Sequence, residues 1–512
     1  MAKAKKQTAS GEKPRILIVT PEITYLPAGM GNMACKLNAK AGGLADVSAS
    51  LVAALFDLGA DVHVALPHYR RMFHIDVGQL ISDELRVYKS RLPDSRIHLA
   101  EDRIFYYRDT VYSHSQNENP KLALAFSREV INNIIPTVQP DLIHCNDWMT
   151  GLIPAAARRM GIPCLFTVHN IHTHHLSLSQ IEDSGIDAAE FWGNLYYTRV
   201  PYNYEESRNT NPIDMQASGV FASHFINTVS PTFLEEVVNG WHNFIPSALR
   251  EEIRNKYRSG CAAGILNAPD ASDNPETDPN IDVRYTAETH AAAKRANKIS
   301  FQHKVGLEEN PDAPIFFWPS RLDPAQKGPQ LLTDILYRFM ARHWKQRVQI
   351  AVVANGAYQQ PFHDILRFHD LYGRLAVCDF NQPLSQLGYA ASDFTLVPSL
   401  FEPCGLPQMV GQIYGSLPVV HDTGGLHDTV EHLDVASEKG NGFVFKIYDS
   451  RGLEWAMDKA MEFYKRPVEE RERNIGRVMR EGLARFNHET CAKSYIDIYE
   501  KMLNRPLVRS FE

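Results

Sequence analysis

Short apolar runs recur along this chain, each broken by a turn rich in Gly, Pro or Asn and followed by a longer mixed stretch. In the first half they fall at residues 15–20, 60–67, 141–144, 164–168 and 225–230. In the second half they fall at residues 314–318, 348–353, 375–379, 394–397 and 417–420. Runs of this length without strict alternation are those of strands buried on both faces, as in parallel sheets. Between them the pattern predicts helices: one through residues 52–58 stopped by Gly59, one over 287–305, and one from Pro407 to about Tyr414. A further helix start is expected near Leu426, and a last helix over residues 489–503. Pro407 suits a first helical turn, where its missing N–H costs little. Strand, turn and helix in succession make an α/β fold with its turns at the carboxyl ends of the strands. Ligands bind there in open sheets.

Length changes this picture into two domains, because 512 residues exceed one compact core. Residues 268–282, rich in Asp, Asn and Pro, read as an irregular link. The expected division is a disordered tail over 1–13, a first domain over 14–275, a second over 276–485 and a closing helical segment over 486–512. With 44% hydrophobic and 22% charged residues, the composition is that of a globular protein. A net charge of −7 gives no support for a nucleic-acid partner. No apolar run of about eighteen residues is present to span a membrane, and the basic start lacks the apolar core of a secretory signal. Seven scattered cysteines, odd in number and without a CxxC pair, point to a reducing compartment. The expectation is a cytoplasmic protein.

The candidate chemistry sits in the turns. Phe401-Glu402-Pro403-Cys404-Gly405-Leu406 follows the strand at 394–397 and sets the Glu402 carboxylate beside helix N-termini that offer N–H groups. Thr423-Gly424-Gly425 follows the next strand. Near the start, Lys40-Ala41-Gly42-Gly43 opens a helix, with glycines that let backbone approach a phosphate and a lysine that supplies charge. Arg321 and Lys327 flank another strand-end turn, and a guanidinium can grip phosphate oxygens in bidentate fashion. Taken singly, each is ordinary turn chemistry or a solvated charge. Together, cations, glycines and helix N-termini at strand ends read as a phosphate-binding site. His169, His172, His174 and His175 cluster in sequence, but their spacing fits no zinc motif and solvent-facing loop histidines are the better reading. Asp147, ahead of Trp148, is a candidate helix N-cap.

These stretches resemble the bacterial glycogen synthase and starch synthase family. FEPCGL, YGSLPVV and TGGLHDTV stand where the family reads FEPCGL, YGTLPVV and TGGL-DTV, and KAGGLADV resembles its KxGGLADV loop. The stretches ending in Asp147-Trp148 and His169-Asn170 resemble its HxHDW and TxHN motifs, and Gly264-Ile265-Leu266-Asn267 its GILNG. The resemblance runs from about Arg15 to Leu503. It implies the GT-B fold: two Rossmann-like doubly wound parallel-sheet domains facing across a cleft, with the last helix crossing back to the first domain. It implies retaining transfer of glucose from ADP-glucose to the non-reducing end of an α-1,4-glucan such as glycogen, with no cofactor or metal. By the same resemblance, Lys40, Gly42, Gly43, Arg321 and Lys327 meet the diphosphate, and Asp147, His169, Asn170 and Asn267 line the sugar side. Glu402 and Cys404 lie against the transferred glucose, with Glu402, Arg321, Lys327 and His169 as the catalytic set. Gly405, Leu406, Thr423, Gly424 and Gly425 complete the donor site, and Phe380 stands where the family stacks a tyrosine on adenine.

Three departures qualify the match. Pro407 replaces a threonine whose hydroxyl and N–H help hold phosphate, Ala268-Pro269-Asp270 replaces GID or GVD, and Ala354-Asn355-Gly356 replaces a GTG-like loop. About twenty residues also separate the first strand from Lys40, so residues 26–39 read as an insertion, composed like a mobile lid over the cleft entrance. Two alternatives remain open: a UDP-glucose-dependent or other-polymer transferase, and a catalytically weakened glucan-binding protein. A nucleotide-binding oxidoreductase is disfavoured, since neither Gly loop has GxGxxG spacing.

Overall fold

The computed structural model describes residues 13–31, 33–73, 95–113, 115 and 117–508. The expected disordered tail lies outside them except for Lys13, whose ammonium donates to the Gly59 carbonyl at 2.6 Å. The chain forms two compact units. The first holds Met1–Val229, Leu234–Ile265 and Cys491–Glu512, and the second Ser230–Phe233 and Leu266–Thr490.

In the first unit, strands β1 (Arg15–Val19), β2 (Asp61–Pro67), β3 (Ile97–Ala100), β4 (Leu142–Asn146) and β5 (Cys164–Val168) are followed by a small antiparallel pair, β6 (His175–Leu176) and β7 (Ile213–Asp214). Strands β8 (Phe225–Thr228) and β9 (Ala262–Gly264) then complete a seven-stranded parallel sheet in the order β3-β2-β1-β4-β5-β8-β9. The chain winds outward from β1 to β3, then returns to place β4 on the other side of β1. That reversal opens a crevice at the carboxyl ends of β1 and β4. The strand interiors are buried on both faces, which is why they read as unbroken apolar runs.

The second unit repeats the plan. Strands β10 (Ile315–Trp318), β11 (Gln349–Val353), β12 (Leu375–Cys378), β13 (Phe394–Val397), β14 (Leu417–His421) and β15 (Phe443–Phe445) form a parallel sheet ordered β12-β11-β10-β13-β14-β15. Its reversal lies between β10 and β13. Residues 266–289 contain no helix or strand, yet they are packed parts of this unit. Asp278 is fully buried and accepts a 2.6 Å hydrogen bond from the Tyr414 hydroxyl, and Tyr285 donates to the Tyr414 carbonyl.

The last helix, His488–Leu503, returns the chain to the first unit through its residues from Cys491 onward. A buried polar network holds it. Thr167 Oγ donates its one proton to Asn227 Oδ1 at 2.5 Å, so His144 Nε2, 2.6 Å from the same oxygen, carries hydrogen. His144 Nδ1 then accepts from the Tyr499 hydroxyl at 2.7 Å, and Asn227 Nδ2 donates to Tyr495 at 3.0 Å. Burial pushes the His144 pKa down to about 3, so the imidazole is neutral, as this pattern needs.

The described residues of 26–39 are packed against the first unit rather than loosely arranged. Leu26, Met30, Ala34, Leu37 and Ala39 are all buried, two short 3-10 turns (Ala28–Met30 and Ala34–Lys36) shape the segment, and Ile23 and Ala39 exchange backbone hydrogen bonds at its base. Its apolar positions anchor it, a signal that its glycines and low charge masked.

Candidate active site

Both reversal points carry the residues singled out from the sequence. In the second unit the chain leaves β10 through Pro319-Ser320-Arg321 and leaves β13 through Pro398-Ser399, so these two turns are neighbours. Leu400 N–H donates to the Gln326 carbonyl at 2.8 Å and joins them. Gly328 has φ +74°, and a Cβ there would lie 2.4 Å from the Pro398 carbonyl oxygen, so only glycine lets the Lys327 turn approach so closely. The approach brings Lys327 Nζ to 2.6 Å from Glu402 Oε2, and the Ser399 hydroxyl donates to the same oxygen at 3.0 Å. Arg321 is exposed and pairs with no carboxylate among the described residues.

The turn that carries Glu402 rests on the Thr423 loop. Gly425 N–H donates to the Glu402 carbonyl at 2.9 Å. A Cβ on Gly424 would lie 2.1 Å from that carbonyl oxygen, and one on Gly425 would lie 2.0 Å from the Cys404 carbonyl oxygen. The twin glycines are thus demanded by packing of one turn on another. Gln408, one residue past Pro407, donates its amide to the Cys404 and Gly405 carbonyls and to Thr429, and fixes the turn from the helix side. Leu406 precedes that helix, Pro407–Ile413. Phe380, beyond β12, is half exposed, and its N–H donates to Asn355 Oδ1 at 2.9 Å.

In the first unit Gly43 begins the helix Gly43–Asp57, and Gly42 differs from the glycines above: a Cβ there would meet nothing within 4 Å. No fold contact requires it. Lys40 is exposed and paired with Asp46 at 2.7 Å. The N–H groups of Ala41 and Gly42 are taken by Glu22 Oε2 at 2.8 and 2.9 Å, while Tyr112 donates to Glu22 Oε1 at 2.8 Å. Burial raises the Glu22 pKa against the pull of these three donors. Sequence reasoning missed Glu22. Its signal was a lone carboxylate three residues after the first strand.

Asp147 caps no helix with its side chain. It accepts instead from His169 N–H at 2.8 Å, Asn170 N–H at 3.4 Å and the Asn170 side chain at 2.8 Å, so it ties the end of β4 to the end of β5. Its backbone is left-handed, φ 59°, a strained state for a residue other than glycine and costing on the order of 1–3 kcal/mol. Burial pushes its carboxyl up to about 7. His169 Nε2 lies 2.9 Å from Asn146 Oδ1, and burial lowers its pKa, leaving the ring neutral. Asn267 is buried, and its Oδ1 has no hydrogen-bond partner among the described residues. His172 and His174 pack on Trp148, and His175 lies 3.5 Å from Asp214, so these histidines are engaged in ring contacts and one contact with a carboxylate. Among the described residues no group of three or more metal-ligating side chains converges.

Comparison with known proteins interprets this arrangement. Residues 15–246 match the model of the starch synthase catalytic domain. Glycogen synthase of Cellvibrio japonicus is 30% identical over 90% of this chain and 96% of its own. The chain belongs to the glycogen and starch synthase family. Glycogen synthase of Thermotoga maritima is likewise 30% identical, over 91% of this chain and 96% of its own. The catalytic domain of starch synthase IV from Arabidopsis thaliana, solved with ADP and acarbose, superimposes with a TM-score of 0.77 at 25% identity, covering 96% of this chain and 100% of that one. The two parallel sheets are those of the GT-B fold, and the protein is a glycosyltransferase with glycogen or starch synthase function. Among the described residues no helix is long and apolar enough to cross a membrane.

Proposed function

We propose that this glycosyltransferase moves glucose from ADP-glucose to the non-reducing end of an α-1,4-glucan, with retention of the anomeric configuration. The observation that carries the reading is the second unit's reversal point, where Arg321, with no carboxylate partner among the described residues, stands at the same strand ends as the buried Lys327–Glu402 pair. Of the cations Arg321, Lys327 and Lys40, Lys327 is paired with Glu402 and Lys40 with Asp46, so among the described residues Arg321 is the one whose charge no carboxylate offsets. It grips the diphosphate, and Lys327 adds an N–H while it holds Glu402 in place. Glu402 and Cys404 lie against the glucose, with Gly405, Leu406, Thr423, Gly424 and Gly425 closing the donor pocket. Phe380 offers its exposed ring to adenine.

In the first unit Lys40 and the Gly42-Gly43 turn, where no side chain stands in the way although Glu22 holds the Gly42 N–H, meet phosphate, and Asp147, Asn170 and His169 order the sugar-facing strand ends. Asn267 Oδ1 is a buried acceptor suited to a sugar hydroxyl. The C1–phosphate bond breaks as the bond from C1 to the acceptor hydroxyl forms on the same face. The departing phosphate oxygen takes the hydroxyl proton, so no separate base is needed. The ADP held by the Arabidopsis starch synthase supports this choice of nucleotide. The test is transfer of radiolabelled glucose from ADP-glucose or UDP-glucose into precipitated glycogen. Label from ADP-glucose is expected. Label from UDP-glucose alone moves the reading to the alternative donor, and label from neither leaves a glucan-binding protein.

A further inference from the structure

A cavity of about 800 Å³ opens in the second unit beside its edge strand β15, and it shares no residue with the donor site above. Its size falls within the roughly 300–1,000 Å³ of small-ligand sites. One wall is Trp455, on the helix Ser450–Tyr464, still 46% exposed. The His432 ring stacks on it at 5.4 Å and 24°, and exposed Ile447 adds apolar surface. The His432 ring is fixed from behind, because its Nδ1 accepts the Val444 N–H at 3.2 Å. At the base Arg485 donates to the Asp428 carbonyl at 2.6 Å.

The polar lining separates ligand classes. Three carboxylates, Asp422, Asp428 and Glu431, line it with two cations, Lys446 and Arg485, so the cavity holds no excess of positive charge to select a phosphate or nucleotide; Asp422 is taken by His427 and Asp428 by Ser230 and Thr232. The Glu431 carboxylate, the Lys446 ammonium and the Trp455 indole N–H have no side-chain partners among the described residues. An aromatic platform ringed by unspent donors and acceptors, with little net charge, suits a neutral polyhydroxylated ring: its C–H face stacks and its edge hydroxyls hydrogen-bond.

We propose that this cavity is a second, non-catalytic binding site for α-glucan, holding a stretch of the polymer while a chain end is elongated elsewhere. The proposal rests on the reading of the acceptor as an α-glucan. It gives the enzyme two points of attachment to one polymer, so that the second contact is made at high effective concentration. Short acceptors gain nothing from it.

The test uses the full-length enzyme with Trp455→Ala and Trp455→Phe, a helix-surface position outside the donor site. Affinity electrophoresis in gels with and without glycogen reads binding, and elongation is measured on glycogen and on maltotriose. The Ala variant is expected to lose most of its retardation and to raise KM for glycogen about tenfold, the scale of one lost aromatic contact. Its kinetics on maltotriose stay unchanged, and the Phe variant stays near wild type. Unaltered retardation and glycogen KM in the Ala variant overturn the proposal. An equal loss on maltotriose also overturns it, by placing Trp455 in the catalytic site. Wild-type transfer to glycogen without any Trp455 effect rejects the second site and leaves the glucan reading intact.

Discussion

Lys327 Nζ stands 2.6 Å from Glu402 Oε2, with both side chains largely buried. Removing one partner leaves an uncompensated buried charge, which costs about 3–5 kcal/mol, whereas removing both costs less. Lys327→Met and Glu402→Gln are each expected to lower both stability and turnover. The double variant should recover stability in urea denaturation while remaining inactive. A double variant as unstable as the sum of the singles would refute coupling between the two.

Arg321 presents the opposite case. Exposed and without a carboxylate partner among the described residues, it contributes little to the fold, so Arg321→Ala should leave the melting temperature nearly unchanged. Turnover should fall by about 10²–10³ or more, the scale of one lost preorganised donor. Near wild-type turnover at saturating donor would remove Arg321 from the diphosphate.

With the charge carried by side chains and no converging ligand cluster among the described residues, turnover should persist in excess EDTA. Activity lost to chelator and restored by Mg²⁺ would show that a cation supplies the stabilisation.

Asp147 makes a pH-dependent contribution with a definite sign. Its folded pKa of about 7 lies above the ordinary 3.8. Between these values the unfolded chain binds fewer protons than the folded one, so this group costs stability as pH rises from about 4 to about 7. Asp147→Asn lacks that titration. Its melting temperature relative to wild type should therefore climb over the same range. A constant difference from pH 4 to pH 8 would mean that the carboxyl titrates normally.

Residues 26–39 should behave as core. Leu37→Ala is expected to cost about 2–5 kcal/mol, as for other buried leucines. If Leu37→Ala left stability intact and changed only the KM for glycogen, the segment would be a lid after all.

Most of the strands and the loops after them were legible, because buried parallel strands announce themselves as apolar runs and strand ends collect Gly, charge and His; the order of the strands in each sheet was not, since it is set by long-range pairing. The residues of the Glu402 turn followed from that. What one strand-end motif does to another was not legible. Gly424 and Gly425 read as phosphate-facing loop glycines, yet they exist to let the Glu402 and Cys404 carbonyls pass. Asp147 read as a helix cap, and its three donors lie more than twenty residues further on. Glu22 carried no motif at all, since its meaning depends on where Ala41, Gly42 and Tyr112 arrive in space.

The bonds from Tyr499 to His144 and from Tyr495 to Asn227 join residues 355 and 268 positions apart. On a ribosome adding about 5–20 residues per second, the buried imidazole and amide of the first sheet wait roughly 10–70 s for the tyrosines they require. During that interval the sheet emerges with part of one face uncovered, exposed to solvent and to chaperones. A message cut short before Tyr495 leaves that face open for good. The tail of this polypeptide therefore decides whether its first half is ever finished.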